Sequence, residues 1–169
     1  MTVIGVVSDT HFPRFGRVLP RALERGLRDA RVERILHLGD MTDLLAVSLF
    51  EAIAPFDAVA GNTDGEAIRA RFGRRKIVRV EDVRIGMVHG DGKRGTTMGR
   101  ALAAFAEEPV DVVLFGHSHH PLVKRENGRL VANPGSPTDK RMNPRYSYAI
   151  LTIDGAQADV RLQHYLSRA

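Results

Sequence analysis

The sequence of 169 residues contains no cysteine. Without a thiol, the chain cannot form a disulfide, bind a metal through thiolate ligands or use a cysteine nucleophile. It also lacks an apolar run near the roughly 20 residues that span a bilayer. The N-terminal MTVIGVVSDTHF has neither the basic nor the apolar segment of a signal peptide. We therefore expect a cytoplasmic protein that does not enter a membrane.

Positive charge exceeds negative charge in this chain. Lys and Arg number 25 and Asp and Glu number 20, so the formal net charge is +5. Arginine-rich stretches such as residues 69–76 supply much of the excess. Such a surface is either simply solvated or concentrates anionic substrates such as phosphate esters or nucleic acid. The charge alone does not choose between these two interpretations.

The first half of the chain has the pattern of parallel strands joined by helices. Strands are predicted for residues 2–7, 32–38 and 56–60. Helices are predicted for residues 18–30 and 44–54, and Thr42 or Asp43 is placed to cap the second helix. This βαβαβ order is typical of parallel strands with helical crossovers.

The second half is richer in hairpins. Paired strands are predicted at residues 76–80 and 83–88, at 122–125 and 130–132, and at 146–153 and 158–165. Their turns are predicted at Glu81-Asp82, Asn127-Gly128 and Asp154-Gly155. A helix over residues 96–106 and a strand over 110–115 complete the pattern. We predict one α+β domain over residues 1–169, with two sheets packed face to face and helices outside.

Side chains suited to metal binding follow five predicted strands at their C-terminal ends. They are Asp9, His11, Asp40, Asn62, His89, His117 and His119. In α/β sheets this edge is where sites are built. Four of the five turns carry a glycine beside the ligand, which permits a sharp turn and a close approach of the backbone. The conjunction of these motifs, each weak alone, predicts a metal site.

Seven ligands exceed the three or four that a zinc site usually takes. They suit two ions that share a bridging carboxylate, for which Asp40 is the predicted bridge. Asp9 and His11 lie two residues apart in an extended segment and can face one ion, whereas His117 and His119 can be divided between two. Oxygen and imidazole ligands fit manganese, iron, zinc, cobalt or nickel and disfavour calcium.

The order of motifs D-x-H, G-D, G-N-x-D, H-G and G-H-x-H resembles that of the calcineurin-like metallophosphoesterases. The short chain is similar to their small bacterial and archaeal phosphodiesterases of the YfcE type. The segment Asn133-Pro134-Gly135-Ser136 looks like the C-terminal signature of that group. The resemblance covers roughly residues 3–153. It implies a four-layer α/β/β/α sandwich with a dinuclear metal site at the C-terminal ends of the strands.

The same resemblance implies a ligand set and a reaction. It places Asp9, His11, Asp40 and His119 on one ion, and Asp40, Asn62, His89 and His117 on the other. Manganese is the expected metal. The implied reaction is hydrolysis of a small phosphate diester by a water or hydroxide that bridges the two ions, with no catalytic side chain beyond the metal ligands.

One position departs from the wider family. Many members carry a histidine after the strand-three asparagine, where Thr63 stands in this chain. Because a hydroxyl is a poor general acid, we expect diesters with good leaving groups rather than monoesters. Asn62, Thr63 and His120 are the expected substrate contacts. His37, inside a strand, is expected to be a packed histidine whose hydrogen bonds are satisfied.

Two other functions are compatible with the sequence. The basic balance favours a nuclease, but no aromatic residues suited to base stacking cluster in the sequence near the motifs. A non-catalytic protein-binding scaffold of the same fold is the second alternative. The intact ligand set counts against it. The sequence leaves the oligomeric state open.

Overall fold

The computed structural model describes residues 1–169, which form ten strands and four helices. In chain order the elements are β1 (Thr2–Val7), α1 (Arg21–Asp29), β2 (Arg34–His37), α2 (Leu45–Glu51), β3 (Phe56–Ala58), α3 (Glu66–Phe72), β4 (Arg75–Val80), β5 (Val83–Val88), α4 (Thr97–Ala104), β6 (Val112–Leu114), β7 (Leu122–Glu126), β8 (Arg129–Asn133), β9 (Tyr146–Asp154) and β10 (Gln157–Tyr165). None of the helices has the length and apolar character needed to cross a bilayer.

The strands form two mixed sheets of five. The first has the order β10-β9-β1-β2-β3, and the second has the order β4-β5-β6-β8-β7. β1, β2 and β3 are parallel, as the βαβαβ pattern predicts, and β9 runs antiparallel to β1. In the second sheet β5, β6 and β8 are parallel, whereas β4 and β7 are antiparallel edge strands. All ten predicted strands are present.

Three apolar clusters show how the layers stack. One cluster of 17 buried residues lies between the sheets, with Ile4, Leu36 and Leu151 from the first sheet and Ile85, Val112 and Leu130 from the second. A second cluster packs α1, α2 and α3 on the outer face of the first sheet. A third packs α4 on the outer face of the second sheet through Ala101 and Phe105. The result is the α/β/β/α sandwich that the sequence predicts.

The element boundaries differ from the predictions where local backbone constraints act. α1 begins at Arg21, three residues later than expected, because Pro20 disfavours helical backbone at Leu19. α2 is also shorter than predicted, although Asp43 Oδ1 does accept the N–H of Leu45 at 2.8 Å. The last hairpin turns at Gly155 and Ala156, one residue beyond the predicted turn, because Asp154 pairs with Gln157.

α3 is the one helix that is not predicted from the sequence. It lies in the arginine-rich stretch and buries Ile68 and Phe72, which are four residues apart. That spacing is a helical signal, but seven residues are too few for a clear period. Arg69 and Arg71 lie on its exposed side, as a solvated basic face requires.

Backbone hydrogen bonds join the loops that follow the strands into one surface. Asp9 N–H donates to Gly39 O and His11 N–H to Asp40 O, both at 2.9 Å, which ties the loops after β1 and β2. Gly116 N–H donates to His89 O at 3.0 Å, which ties those after β6 and β5. The C-terminal strand ends of both sheets therefore meet at one edge of the sandwich.

Candidate metal centre

Two groups of potential ligands lie at this edge. The first contains Asp9, His11 and His119, and the second contains Asp40, His89 and His117. Within each group the ligand atoms all lie within 4.8 Å of one another. Six of the seven ligands expected from the sequence are thus brought into two adjacent clusters by the loops that follow four different strands.

Four buried atoms in these groups have no hydrogen-bond partner. They are Asp9 Oδ1 and the Nε2 atoms of His11, His89 and His119. Asp9 Oδ1 lies 4.0 Å from His11 Nε2, 3.7 Å from His89 Nε2 and 3.5 Å from His119 Nε2. Donor atoms that each bond one cation at about 2.0–2.2 Å have separations of this order. Because unpartnered buried polar atoms are costly, their convergence fits a bound cation.

The carboxylate of Asp9 is held in one orientation by its other oxygen. Oδ2 accepts the hydroxyl of Ser8 at 2.8 Å and the N–H of His117 at 3.0 Å. Burial raises the pKa of Asp9 to about 7, which the positive charge of His89 and these two hydrogen bonds only partly offset. A divalent cation would supply the positive charge that this buried carboxylate lacks.

Asp40 lies between the two groups. Its Oδ2 is 3.2 Å from His89 Nε2 and 3.8 Å from His11 Nε2, whereas its Oδ1 accepts the N–H of Thr63 at 2.9 Å. Burial opposes ionisation of Asp40, but His89 and the Thr63 N–H together hold its pKa below the usual range. A charged carboxylate that faces a histidine of each group has the placement of a bridging ligand.

Backbone carbonyls orient two of the histidines. His89 Nδ1 lies 2.7 Å from Leu38 O, and His119 Nδ1 lies 2.6 Å from Asp139 O. Since a carbonyl only accepts, each Nδ1 carries the proton, and the Nε2 atom of a neutral ring is left with its lone pair toward the site. This is the arrangement that metal-binding histidines require.

Burial lowers the pKa of all four histidines, but nearby carboxylates reverse the net shift at His89. Burial lowers the pKa of His119 to about 4 and also lowers the pKa of His11 and His117. Burial acts in the same direction on His89, but Asp40 and Asp9 outweigh it and raise the pKa of His89 to about 9. Neutral imidazoles, which are the form that binds metals, therefore predominate among the other three rings at neutral pH.

Asn62 and Thr63 lie on the open side of the site and are exposed. Asn62 Oδ1 is 3.2 Å from His117 Nδ1, so the amide joins the second group. His120 is also exposed and its Nδ1 lies 2.9 Å from Asn143 Oδ1. The three residues expected to contact substrate thus lie on the solvent side of the buried ligands.

Five of the candidate ligands have left-handed backbone conformations. The φ angles are 55° at Asp9, 47° at His11, 59° at Asp40, 70° at His117 and 60° at His119. Positive φ is uncommon for residues other than glycine and costs on the order of 1–3 kcal/mol at each position. Such a concentration of strained residues is typical of functional sites.

Glycines beside the ligands make room for them. A Cβ at Gly39 would lie 2.6 Å from His89 Nδ1 and 2.9 Å from the Cα of Gly61. A Cβ at Gly61 would collide with Asp40 Oδ1, and one at Gly116 with Ser8 Oγ. The glycines predicted from the sequence are therefore required by close packing around the two carboxylates, and Gly39 also has a φ of 103°.

Asp64 supports the site, although sequence reasoning did not include it among the site residues. Its carboxylate is buried and accepts N–H groups from Asp40 at 2.8 Å, Thr42 at 2.8 Å and Gly61 at 2.7 Å. The G-N-x-D motif contains this aspartate and was the available signal. Two of its three partners, Asp40 and Thr42, however, belong to a loop more than 20 residues earlier in the chain.

The segment from Asn133 to Ser136 forms hydrogen bonds with the backbone of the ligand loops. Asn133 Nδ2 donates to Gly116 O at 3.0 Å, and Ser136 Oγ donates to Asp9 O at 2.8 Å.

His37 is the packed histidine that was expected. It is fully buried, with Nε2 2.9 Å from Thr10 Oγ1 and Nδ1 accepting the N–H of Gly39 at 3.1 Å.

Folding brings together aromatic residues that do not cluster in the sequence. Phe15 follows the D-x-H motif, and the guanidinium of Arg168 lies 5.1 Å from its ring centroid and 6.0 Å from that of Tyr146. Tyr146 in turn stacks on Tyr165, with ring centroids 5.6 Å apart. These residues are far apart in sequence, so the sequence alone does not predict that they lie close together in space.

Comparison with known proteins finds relatives in both sequence and structure. Residues 1–156 match the calcineurin-like phosphoesterase superfamily domain. A probable metallophosphoesterase of Methanothermobacter thermautotrophicus is 35% identical over 161 residues, which cover 95% of this chain and 91% of that protein. A phosphodiesterase of Methanocaldococcus jannaschii is 30% identical over 146 residues, which cover 78% of this chain and 82% of that protein.

The same fold occurs in Vps29 of Chaetomium thermophilum. The two structures superpose with a TM-score of 0.80 over 98% of this chain and 97% of that one, at 20% sequence identity. At this identity the similarity concerns the architecture of the two sheets and not what either protein binds.

Proposed function

Because this chain belongs to the calcineurin-like phosphoesterase superfamily, we propose that it is a metal-dependent phosphodiesterase with two cation sites. Family membership supports hydrolysis of phosphoesters. The observation that carries the proposal for this chain is the convergence of four unpartnered buried ligand atoms on one region. Related proteins include a phosphodiesterase, which favours a diester as the substrate.

Each proposed cation has four ligands, with one ligand shared. Asp9, His11, His119 and Asp40 would hold the first cation, and Asp40, Asn62, His89 and His117 the second. Manganese is the proposed metal, with iron, zinc, cobalt and nickel also compatible with oxygen and imidazole ligands. Two divalent cations would supply a nucleophilic hydroxide and the positive charge that stabilises the phosphoryl transition state.

The residues around the ligands position the substrate. Asn62, Thr63 and His120 lie on the open side, where the phosphate and its ester groups would enter. Thr63 offers a hydroxyl where a general acid would stand, so the leaving group would depart without a proton from this position. That feature favours diesters with good leaving groups. It disfavours monoesters with alkyl leaving groups.

Reconstitution of the purified chain tests the proposal. Chelator-stripped protein would be loaded separately with Mn²⁺, Fe²⁺, Zn²⁺, Co²⁺ and Ni²⁺, and bis(4-nitrophenyl) phosphate and 4-nitrophenyl phosphate would be compared as substrates. We expect hydrolysis only after metal addition, at two ions per chain, with a preference for the diester. Asp9→Asn is the matched inactive variant.

Binding of two ions without hydrolysis of either ester would contradict the enzymatic proposal and favour the non-catalytic scaffold. Activity that survives in Asp9→Asn would contradict the assignment of Asp9 as an essential metal ligand. A preference for the monoester would contradict the interpretation of Thr63.

A further inference from the structure

Five side chains that are distant in sequence form a cluster beside the metal centre, which we term the rim cluster. Its members are Arg14, Phe15, Lys140, Tyr146 and Arg168. The Phe15 ring lies 5.2 Å from the guanidinium carbon of Arg14 and 5.1 Å from that of Arg168. Arg168 also lies 6.0 Å from the Tyr146 ring, which has Lys140 Nζ at 5.9 Å. Each of the two rings is thus in cation–π contact with two of the three cations.

The rim cluster is tied to two candidate metal ligands. The N–H of Arg14 donates to His11 O at 3.0 Å. Lys140 follows Asp139, whose carbonyl is 2.6 Å from His119 Nδ1, and the turn beyond it is fixed by Asn143 Nδ2, which donates to His119 O at 2.9 Å. The rings of His11 and His119 stack with centroids 5.4 Å apart. The segments that carry Arg14 and Lys140 are therefore each hydrogen-bonded to one histidine of this pair.

The cations of the rim cluster have no acidic partner. Arg14, Lys140 and Arg168 form none of the salt bridges in the structure, whereas arginines elsewhere, such as Arg28 and Arg74, pair with nearby carboxylates. Arg14 and Arg168 are exposed. Three unneutralised cations next to a phosphoesterase site leave an excess of positive charge that a bound anion would compensate.

We propose that the rim cluster binds a nucleotidyl part of the phosphodiester substrate, with the base stacked on an arginine plane and a further phosphate bound by the cations. The inference rests on the proposed phosphodiesterase function and names its substrate class. Guanidinium planes and aromatic rings are the groups on which unpaired bases stack. Because Phe15 and Tyr146 already order the cations, less side-chain entropy is lost when such a ligand binds.

The combination of groups distinguishes a nucleotide from other anions. Inorganic phosphate or an aliphatic phosphate ester would use the charge but not the planar guanidinium and aromatic surfaces. An uncharged aromatic group would use the planes but not the three cations. A base linked to a second phosphate uses both, and it occurs both in small dinucleotides and at the end of a nucleic acid strand.

The kinetic test compares two diesters with the same leaving group in the reconstituted enzyme. They are thymidine 5′-(4-nitrophenyl phosphate) and methyl 4-nitrophenyl phosphate. We expect the wild type to prefer the thymidylyl ester, and the ratio of the two kcat/KM values to fall about tenfold in Arg168→Gln and in Phe15→Leu. Arg161→Gln on β10 is the matched control, because its side chain is 81% exposed and lies outside the cluster. It should leave the ratio unchanged.

A binding test separates this inference from the proposed function. The dinucleotide pApA, the oligonucleotide (dA)10 and inorganic phosphate would be titrated into metal-free protein, with Arg168→Gln and Arg161→Gln alongside. We expect pApA to bind more tightly than phosphate and to lose about tenfold in affinity in Arg168→Gln alone. Tighter, more salt-dependent binding of (dA)10 would identify a strand end as the source of the nucleotide, and equal binding a small dinucleotide.

The outcomes of the two tests are distinguishable. Cluster-dependent binding of pApA without hydrolysis of any ester would support the inference and overturn the phosphodiesterase proposal. Hydrolysis of both aryl diesters with equal kcat/KM, and with equal effects of the Arg168 and Arg161 substitutions, would overturn the inference and leave the phosphodiesterase proposal standing.

Discussion

The carboxylate of Asp64 accepts the backbone N–H of Asp40 at 2.8 Å, although Asp64 is in neither group of candidate ligands. The same carboxylate accepts the N–H of Gly61 and of Thr42, so it joins the loops after β2 and β3. The left-handed backbone at Asp40, with φ at 59°, is held in this way. One buried aspartate therefore positions the residue proposed to bridge the two cations.

Asp64→Ala should destabilise the protein and weaken its binding of the second cation. The N–H groups of buried Asp40 and Gly61 and of half-buried Thr42 would lose their acceptor, and the cost of such losses is about 3 kcal/mol or more. Denaturant unfolding of the metal-free protein and metal analysis of the loaded protein would measure the two effects. Asp159→Ala removes an exposed carboxylate and serves as the control. Equal stability of the two variants would refute a structural role for Asp64.

Gly61→Ala should lower metal content and activity with little change in secondary structure. The new methyl group would collide with Asp40 Oδ1 and displace the proposed bridging carboxylate. Gly65→Ala, four residues later, is the matched control, because nothing lies within 4 Å of its Cβ position. Metal analysis and turnover of bis(4-nitrophenyl) phosphate would be compared for the two variants. Similar values for both would show that space at Gly61 does not matter.

Much of the site could be predicted because each ligand follows its strand directly. Asp9, Asp40 and His89 lie one to three residues beyond buried strands, and parallel strands bring their C-terminal ends to one edge. The position of each ligand at the end of its strand therefore predicts that ligands distant in sequence lie close together in the fold. The resemblance to a known family implies a division of the ligands between two cations. Each of the two clusters in the structure falls within one of the implied sets, although Asp40 is in only one cluster and Asn62 is in neither.

Contacts between segments that are distant in the sequence could not be predicted in this way. The hydrogen bonds of Asp64 need backbone donors from the loop after β2, and the rim cluster joins Phe15, Tyr146 and Arg168. No period or spacing in the sequence connects these positions. They become neighbours only when β9 lies beside β1 and β10 lies beside β9.

Asp40→Asn should abolish activity and reduce the content of both cations, because it removes the charge of the shared ligand. Asp40 Oδ2 lies within 4 Å of a histidine from each group. His119→Ala should first impair only the cation held by Asp9 and His11, since His119 belongs to that group alone. Metal-to-protein ratios of the two purified variants would test this. Two ions per chain and near-normal turnover in Asp40→Asn would contradict the bridging assignment.

His37 should make the metal-free protein less stable in acid. Burial, with the positive charge of His89, lowers the pKa of His37 to about 3, whereas the unfolded chain has the ordinary value of about 6.5. Its folded-state pKa is depressed, so its contribution to stability is present above pH 6.5 and is lost as the pH falls toward 3. Between pH 6.5 and 4 the loss is about 3 kcal/mol.

His37→Gln is the variant that isolates this contribution, because an amide can still donate to Thr10 and accept from Gly39 without titrating in this range. Urea unfolding of both metal-free proteins at pH 6.5 and 4 would give the difference. We expect the variant to lose less stability than the wild type by roughly the amount attributed to His37. Parallel losses in the two proteins would show that His37 does not titrate with a depressed pKa.

Thr63→His should raise monoesterase activity more than diesterase activity. Thr63 is exposed, and it is its backbone N–H that donates to Asp40 Oδ1, so an imidazole can be added without loss of that bond. A general acid is typically worth about 10²–10⁴-fold, mostly for poor leaving groups, and we expect a gain near the lower limit because the loop is fitted to threonine. The measurement is kcat/KM for an alkyl monoester, an aryl monoester and an aryl diester. An equal change for all three would show that leaving-group protonation does not limit this enzyme, and Thr63 would no longer account for a diester preference.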